Sequence, residues 1–154
     1  MDKECRISAG TVIVQQGRIL LVRHGAAFHG RDFLVAPGGG VEHDESIIQA
    51  VVREVKEETG LEVDPYKILF IEDMISRRKR VIKIWFLCKI VGGQLEKTQN
   101  AIEEGIVESK WYCKAELKDE VVYPSILINT DWHIFLKDSW ETKYFENKDD
   151  DADF

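Results

Sequence analysis

Hydrophobic positions along the chain change period several times, and each change predicts an element. Residues 7–14 ("ISAGTVIV") and 18–23 ("RILLVR") read as strands joined at "QQG", a hairpin-like pair. After the polar loop "HGAAFHGRD" comes a short apolar piece, "FLVA", that stops at Pro37. The following Gly38, Gly39 and Gly40 predict a tight loop, outside regular structure, where backbone can approach a ligand.

The period then becomes helical. In "DESIIQAVVREVKEETG" the residues Ile47, Ile48, Val51, Val52 and Val55 make an apolar stripe, with Asp44 as expected N-cap and Gly60 as the left-handed residue that ends the helix. At about 100° per residue, Glu54 and Glu58 fall beside that stripe and Glu57 just outside it. Beyond Pro65, "KILFIED" and "VIKIWFLCKI" read as strands linked by the basic hairpin "MISRRKR". In the second strand Ile82, Ile84, Phe86, Cys88 and Ile90 share one face, and Lys83 and Lys89 the other. "TQNAIEEG" predicts a polar loop and "VESKWYC" a strand. Pro124 and Ser125 open a second helix that carries Leu127, Ile128, Trp132, Phe135 and Leu136. Strands around one strong helix, with another helix late in the chain, indicate an α/β fold with a mixed β-sheet between helices.

Length and composition narrow this picture. The 154 residues suit one domain, expected over 1–147, with an acidic and disordered tail over 148–154. Four of the seven net negative charges are tail aspartates, and the remaining charge of about −3 argues against stable nucleic-acid binding. Cys5, Cys88 and Cys113 are far apart and odd in number, which fits a reducing cytoplasm better than a disulfide framework. No long apolar run suggests a membrane segment.

The candidate chemistry lies where glycines meet acids. Glu54, Glu57 and Glu58 crowd one helix flank, where like charges three and four apart repel by a few tenths of a kcal/mol. A hard divalent cation such as Mg²⁺, which takes oxygen ligands, would relieve that repulsion and offset the charge of a polyphosphate. Each feature alone is more often a solvated helix face or a plain loop. Together they match a longer pattern: glycine, five residues, glutamate, seven residues, then R-E-U-x-E-E-x-G-U with U aliphatic. Gly39, Glu45, Arg53, Glu54, Val55, Glu57, Glu58, Gly60 and Leu61 fill all nine of its fixed positions. Residues 39–61 thus resemble the Nudix box, and the strand order and length resemble a minimal Nudix domain.

The resemblance implies a Nudix-type α/β/α sandwich. It also implies Mg²⁺- or Mn²⁺-dependent hydrolysis of a nucleoside diphosphate linked to another group, a small-molecule nucleotide partner and, as an open option, a homodimer. By matching position it makes Glu54, Glu57 and Glu58 metal ligands or activators of water, Arg53 the residue that orients them, and Glu45 a support for the glycine loop. Direct Glu45–Arg53 contact would require Glu45 to fold back from that loop, since eight residues of helix span about 12 Å. Many members draw a further glutamate from a later loop; Glu104 is the first candidate, beside the freely turning Gly105, with Glu103 and Glu108 behind it. The proline that ADP-ribose-hydrolysing members carry downstream of the box is missing from "IEDMISRRKR", and the tyrosine of dinucleoside polyphosphate enzymes is missing too. A nucleoside triphosphate or nucleotide sugar stays open as substrate. The alternative is a catalytically inactive nucleotide-binding or regulatory module.

Overall fold

Alternating strands with both faces buried need cover on each side, and the chain supplies it with two five-stranded sheets flanked by helices. The computed structural model describes residues 3–152. In chain order its strands are β1 (Glu4–Val12), β2 (Val14–Gln15), β3 (Arg18–His24), β4 (Phe33–Val35), β5 (Gly38–Gly40), β6 (Leu61–Ile75), β7 (Lys79–Gly93), β8 (Ile106–Tyr112), β9 (Val122–Tyr123) and β10 (Lys143–Lys148). The helices are α1 (Ala26–His29), α2 (Ile47–Thr59), α3 (Gln99–Glu103) and α4 (Ile126–Asn129). One sheet runs β10-β6-β7-β1-β5, with β1 parallel to β7 and antiparallel to β5. The other runs β2-β3-β4-β9, with β8 also on β3.

Two apolar layers follow from the alternation. Ala50, Val51 and Val55 of α2 pack on Ala9, Leu20, Phe86 and Cys88, with Ile84 and Ile90 against them. This is the face expected for the even-numbered positions of β7. The odd-numbered Trp85 and Leu87 point into the other layer with Leu21, Leu34, Phe70, Leu127, Trp132 and Phe135. Trp85, 1% exposed, is a core residue.

Five local expectations are corrected. The triple glycine is a strand: Gly38, Gly39 and Gly40 pair with Gly10, Ala9 and Ser8, because backbone without side chains can lie tightly against a neighbour. Strand β1 leaves its expected hairpin partner for β7. The hairpin is β2–β3, turned by Gln16 and Gly17 at φ 52° and 73°, the positive pair a two-residue turn requires.

The cap of α2 is Ser46 rather than Asp44; its hydroxyl accepts from Gln49 N while the Gln49 side chain accepts from Ser46 N, a reciprocal capping box. "TQNAIEEG" contains α3, capped by Thr98, whose hydroxyl accepts from Ala101 N at 3.0 Å. The long second helix is instead α4 and a 3₁₀ segment, Trp132–Leu136, divided by extended Thr130. The Leu127 carbonyl, which a continuous helix would use internally, accepts from the Trp132 indole N–H and from Lys114 Nζ.

The expected boundary at 147 falls one residue before the end of β10. Asp149 N–H donates to the Ile75 carbonyl, and residues 153–154 of the expected tail lie outside the described residues.

Candidate active site

Helix α2 brings its acids to the edge of the first sheet. Its capping box sets the start, and Gly60, at φ 82°, ends it with an N–H donated to the Lys56 carbonyl. Between these ends the apolar stripe is fastened to β1 and β7, so residues one step around from it sit half-covered by β5. Glu54 and Glu58 are buried, and Glu57 is partly exposed. Strand β5 must be glycine to pass this close: a Cβ on Gly39 would lie 2.4 Å from a Glu54 carboxylate oxygen.

Arg53 organises the group. Its Nε and Nη2 donate to the two Glu45 oxygens at 3.0 and 2.6 Å. Nη1 donates to Glu54 at 2.9 Å and Glu57 at 3.2 Å, and Nη2 also reaches the Gly40 carbonyl at 3.0 Å. Glu45 does fold back, its Oε1 also accepting from Glu42 N at 2.8 Å. The fork of Arg53 holds the Glu45 carboxyl down at about 2.

The other acids are under strain from each other. Burial pushes the Glu54 carboxyl up, with Glu57 adding to it and Arg53 opposing. Burial also drives Glu58 well above the usual carboxylate range, reinforced by Glu54 and Glu104. One Glu58 oxygen accepts from Gly38 N at 3.4 Å; the other is buried with no partner among the described residues. A buried acceptor left unmatched costs about 1–3 kcal/mol, so the arrangement favours something that supplies positive charge.

Glu104, at the C-terminal cap of α3, reaches this group across the fold. Carboxylate oxygens of Glu54, Glu57 and Glu104 lie within 4.8 Å of one another. Burial first, then Glu54 and Glu57, raises the Glu104 carboxyl. Its loop is anchored from both sides: the Thr98 hydroxyl donates to the Glu57 carbonyl, and a His29 ring nitrogen lies 3.2 Å from the Glu104 carbonyl. Glu103 is turned to Gln99, and Glu108 in β8 accepts from the Tyr112 hydroxyl at 2.7 Å; neither joins the cluster. His24 and His29 pair with each other at 3.0 Å, with His24 stacked on Phe33 and its imidazole held down near 4 by burial, then by His29 and Lys83. His43 is exposed.

Sequence reasoning overlooked the Ser46 cap, although Ser-Ile-Ile-Gln is a legible capping-box signature. It also left Lys83 as a polar-face residue. Lys83 lies near this site, its ammonium 4.3 Å from the Trp85 ring centroid, and it lowers the cost of charging Glu58, Glu72 and Glu54.

The donor set fits a hard divalent cation: carboxylate oxygens of Glu54, Glu57 and Glu104 converge, the neighbouring Glu58 adds a buried, unmatched oxygen, and no thiolate is among them.

Comparison with known proteins identifies a family. The NUDIX domain family model matches residues 5–130. The 8-oxo-dGDP phosphatase NUDT18 of Danio rerio is 32% identical over 114 residues, which are 73% of this chain and 34% of that protein. An ADP-ribose pyrophosphatase of Methanocaldococcus jannaschii is 36% identical over 100 residues, 63% of this chain and 58% of that protein. The chain therefore spans about a third of the NUDT18 relative's length. Among solved structures, an ADP-ribose pyrophosphatase from Streptococcus suis superposes with a TM-score of 0.65 at 26% identity, covering 90% of this chain and 98% of that one.

Proposed function

Since the chain belongs to the NUDIX domain family, we propose that it is a metal-dependent pyrophosphohydrolase. It would cleave a phosphoanhydride bond in a nucleoside diphosphate joined to a further group. The observation that carries this reading is the convergence of Glu54, Glu57 and Glu104 beside the buried, unmatched oxygen of Glu58. Glu54, Glu57 and Glu58 would hold Mg²⁺ or Mn²⁺. Such an ion, when bound, supplies Lewis acidity and neutralises charge on the phosphoryl oxygens.

The chain's own residues account for the rest. Arg53, tied to Glu45 and the Gly40 carbonyl, keeps Glu54 and Glu57 in place. Gly38, Gly39 and Gly40 give the substrate close access to backbone. Glu104 acts as general base: it takes a proton from water as the water oxygen bonds to phosphorus. The phosphoanhydride P–O bond breaks and its electron pair leaves with the departing phosphate. Its place at the end of a short helix, outside the box, brings its carboxylate to the oxygens of Glu54 and Glu57 from a separate element.

The named activities of the relatives share a nucleoside diphosphate moiety, which supports that substrate class. Nucleoside triphosphates and nucleotide sugars belong in the same trial. We further propose a single catalytic unit over 1–147 with 148–154 as a tail, and a cytoplasmic setting in keeping with three free cysteines among the described residues. No described helix is long and apolar enough to cross a membrane.

The test is a panel of nucleotide substrates with Mg²⁺ or Mn²⁺, with products identified by chromatography. Cleavage between phosphates that stops in excess chelator is expected. Undiminished turnover in chelator overturns metal dependence, and no turnover with any nucleotide that nevertheless binds favours the inactive regulatory module.

A further inference from the structure

Glu45, Glu54 and Glu57 have Arg53 as partner, but a second set of charges beside them has no partner among the described residues. Lys83 on β7 sits opposite Ser8 of β1, and Arg6 lies two residues back on the same face of β1. Lys83 and Arg6 are therefore diagonal neighbours on adjacent strands, and Ser8 in turn pairs with Gly40 of β5. The Arg6 guanidinium occupies the space that a Gly40 side chain would fill, with Nη2 2.2 Å from where a Cβ would stand.

Three arginines of the fold are matched by acids: Arg23 with Glu120 at 2.6 Å, Arg80 with Asp73 at 2.5 Å, and Arg53 with four glutamates, Glu42, Glu45, Glu54 and Glu57. Among the described residues, neither the Lys83 ammonium nor the Arg6 guanidinium has a hydrogen bond or an ion pair. What holds Lys83 is the face of Trp85, and that ring is fixed in turn by its indole N–H donating to Glu72 at 2.6 Å. An aromatic face steadies a cation without using its N–H donors. Two like charges therefore stand together at the rim of an acidic site with their donors unspent. Burial, together with Arg6, makes charge on Lys83 harder to keep, and the surrounding carboxylates offset this.

Resting on the pyrophosphohydrolase reading, we propose that Lys83 and Arg6 form an anion-binding subsite that grips the diphosphate of the substrate, across β5 from the carboxylates that would hold the metal. The chemistry required is that of a phosphate chain. Its oxygens can accept from a compact ammonium and a guanidinium fork at once, while the remaining charge is met on the acidic side by a cation. Trp85 and Glu72 are positioning residues for Lys83 and touch no phosphate. Gly40 has a second role here, since any side chain would displace Arg6.

A probe without a base or a cleavable bond separates this inference from the activity. Imidodiphosphate, titrated calorimetrically into the intact protein with Mg²⁺, reads phosphate binding alone. Lys83→Met should weaken it by about tenfold, the loss typical of a charge-assisted bond. Arg6→Gln should weaken it severalfold and the double variant further, whereas Lys83→Arg should retain most of the affinity. Circular dichroism melting of each variant checks that it is folded. In kinetics, Lys83→Met should raise KM more than it lowers kcat. Wild-type affinity in a folded double variant overturns the subsite, as does wild-type protein that binds no imidodiphosphate. If wild type hydrolyses no nucleotide yet binds the probe through these two residues, the catalytic reading fails and the subsite stands.

Discussion

Arg53 makes five hydrogen bonds, two to Glu45, one each to Glu54 and Glu57, and one to the Gly40 carbonyl. These can occupy all five N–H donors of a guanidinium, and a lysine, with three donors on a flexible stem, could not replace it. With Arg53 so committed, the acids must find further positive charge elsewhere. Glu57 is the clearest place to test that need, since it is partly exposed and contributes little to the core. Glu57→Gln keeps the shape and removes the charge. Turnover is expected to fall by two or more orders of magnitude while the melting temperature stays near wild type, measured by steady-state kinetics and thermal unfolding. Glu104→Gln should lower kcat more than it raises KM and leave stability unchanged, as the loss of a general base would. Glu103→Gln and Glu108→Gln, which point elsewhere, should keep kcat. Wild-type kcat in the Glu104 variant ends its assignment as base.

At the scale of elements, α2 is the part on which the site depends. Its 13 residues carry an apolar face to the sheet, so burial supplies most of its stability, but its start is set locally. Ser46 and Gln49 satisfy each other's backbone N–H groups, and the loop just before them holds Glu45 against Arg53. Ser46→Ala should therefore cost about 1 kcal/mol in urea unfolding, the usual loss for such a cap. The same change should raise the metal concentration needed for half-maximal activity, because the first turn and Glu45 share a loop. A stability loss with no change in metal requirement would separate the cap from the site. Helix α3 is short and marginal alone; Ala101 is buried and the Thr98 hydroxyl spans to the Glu57 carbonyl. Those contacts carry Glu104 to α2.

Across the whole molecule, Asp73 ties three strands of the first sheet. It accepts from Arg80 on β7 at 2.8 and 2.5 Å and from the Tyr144 hydroxyl on β10 at 2.7 Å. Arg80 first and Tyr144 second hold its carboxyl at about 2, below an ordinary aspartate near 4. A group depressed on folding stabilises fully above its unfolded value and loses that contribution as pH falls through its folded value. The stability difference between wild type and Asp73→Asn should thus be constant above pH 5 and shrink between about pH 4 and pH 2. Urea unfolding across that range checks it; a difference independent of pH would show that the ion pair contributes nothing. The segment leading into β10 docks through the Trp140 indole, which donates to the Leu69 carbonyl at 2.9 Å, and β10 itself through Phe145, whose ring meets Phe70.

The sequence by itself determined what repeats or has a local cause. The stripe Val51–Val55 and the left-handed Gly60 defined α2, alternation defined the two faces of β7, and the box spacing placed Arg53, Glu54, Glu57 and Glu58 on one flank. Local chemistry misled where a distant partner intervened. Three glycines suggest a loop until Ser8, Ala9 and Gly10 pair with them. The apolar spacing from Leu127 to Leu136 suggests one helix until Trp132 and Lys114 claim the Leu127 carbonyl. The convergence of Glu104 with Glu54 and Glu57, the fold-back of Glu45 and the pairing of Lys83 with Arg6 were decided only by tertiary structure. These contacts join residues far apart in the chain or on separate elements. Their geometry depends on how sheets and helices pack, and no periodicity along a single segment encodes that.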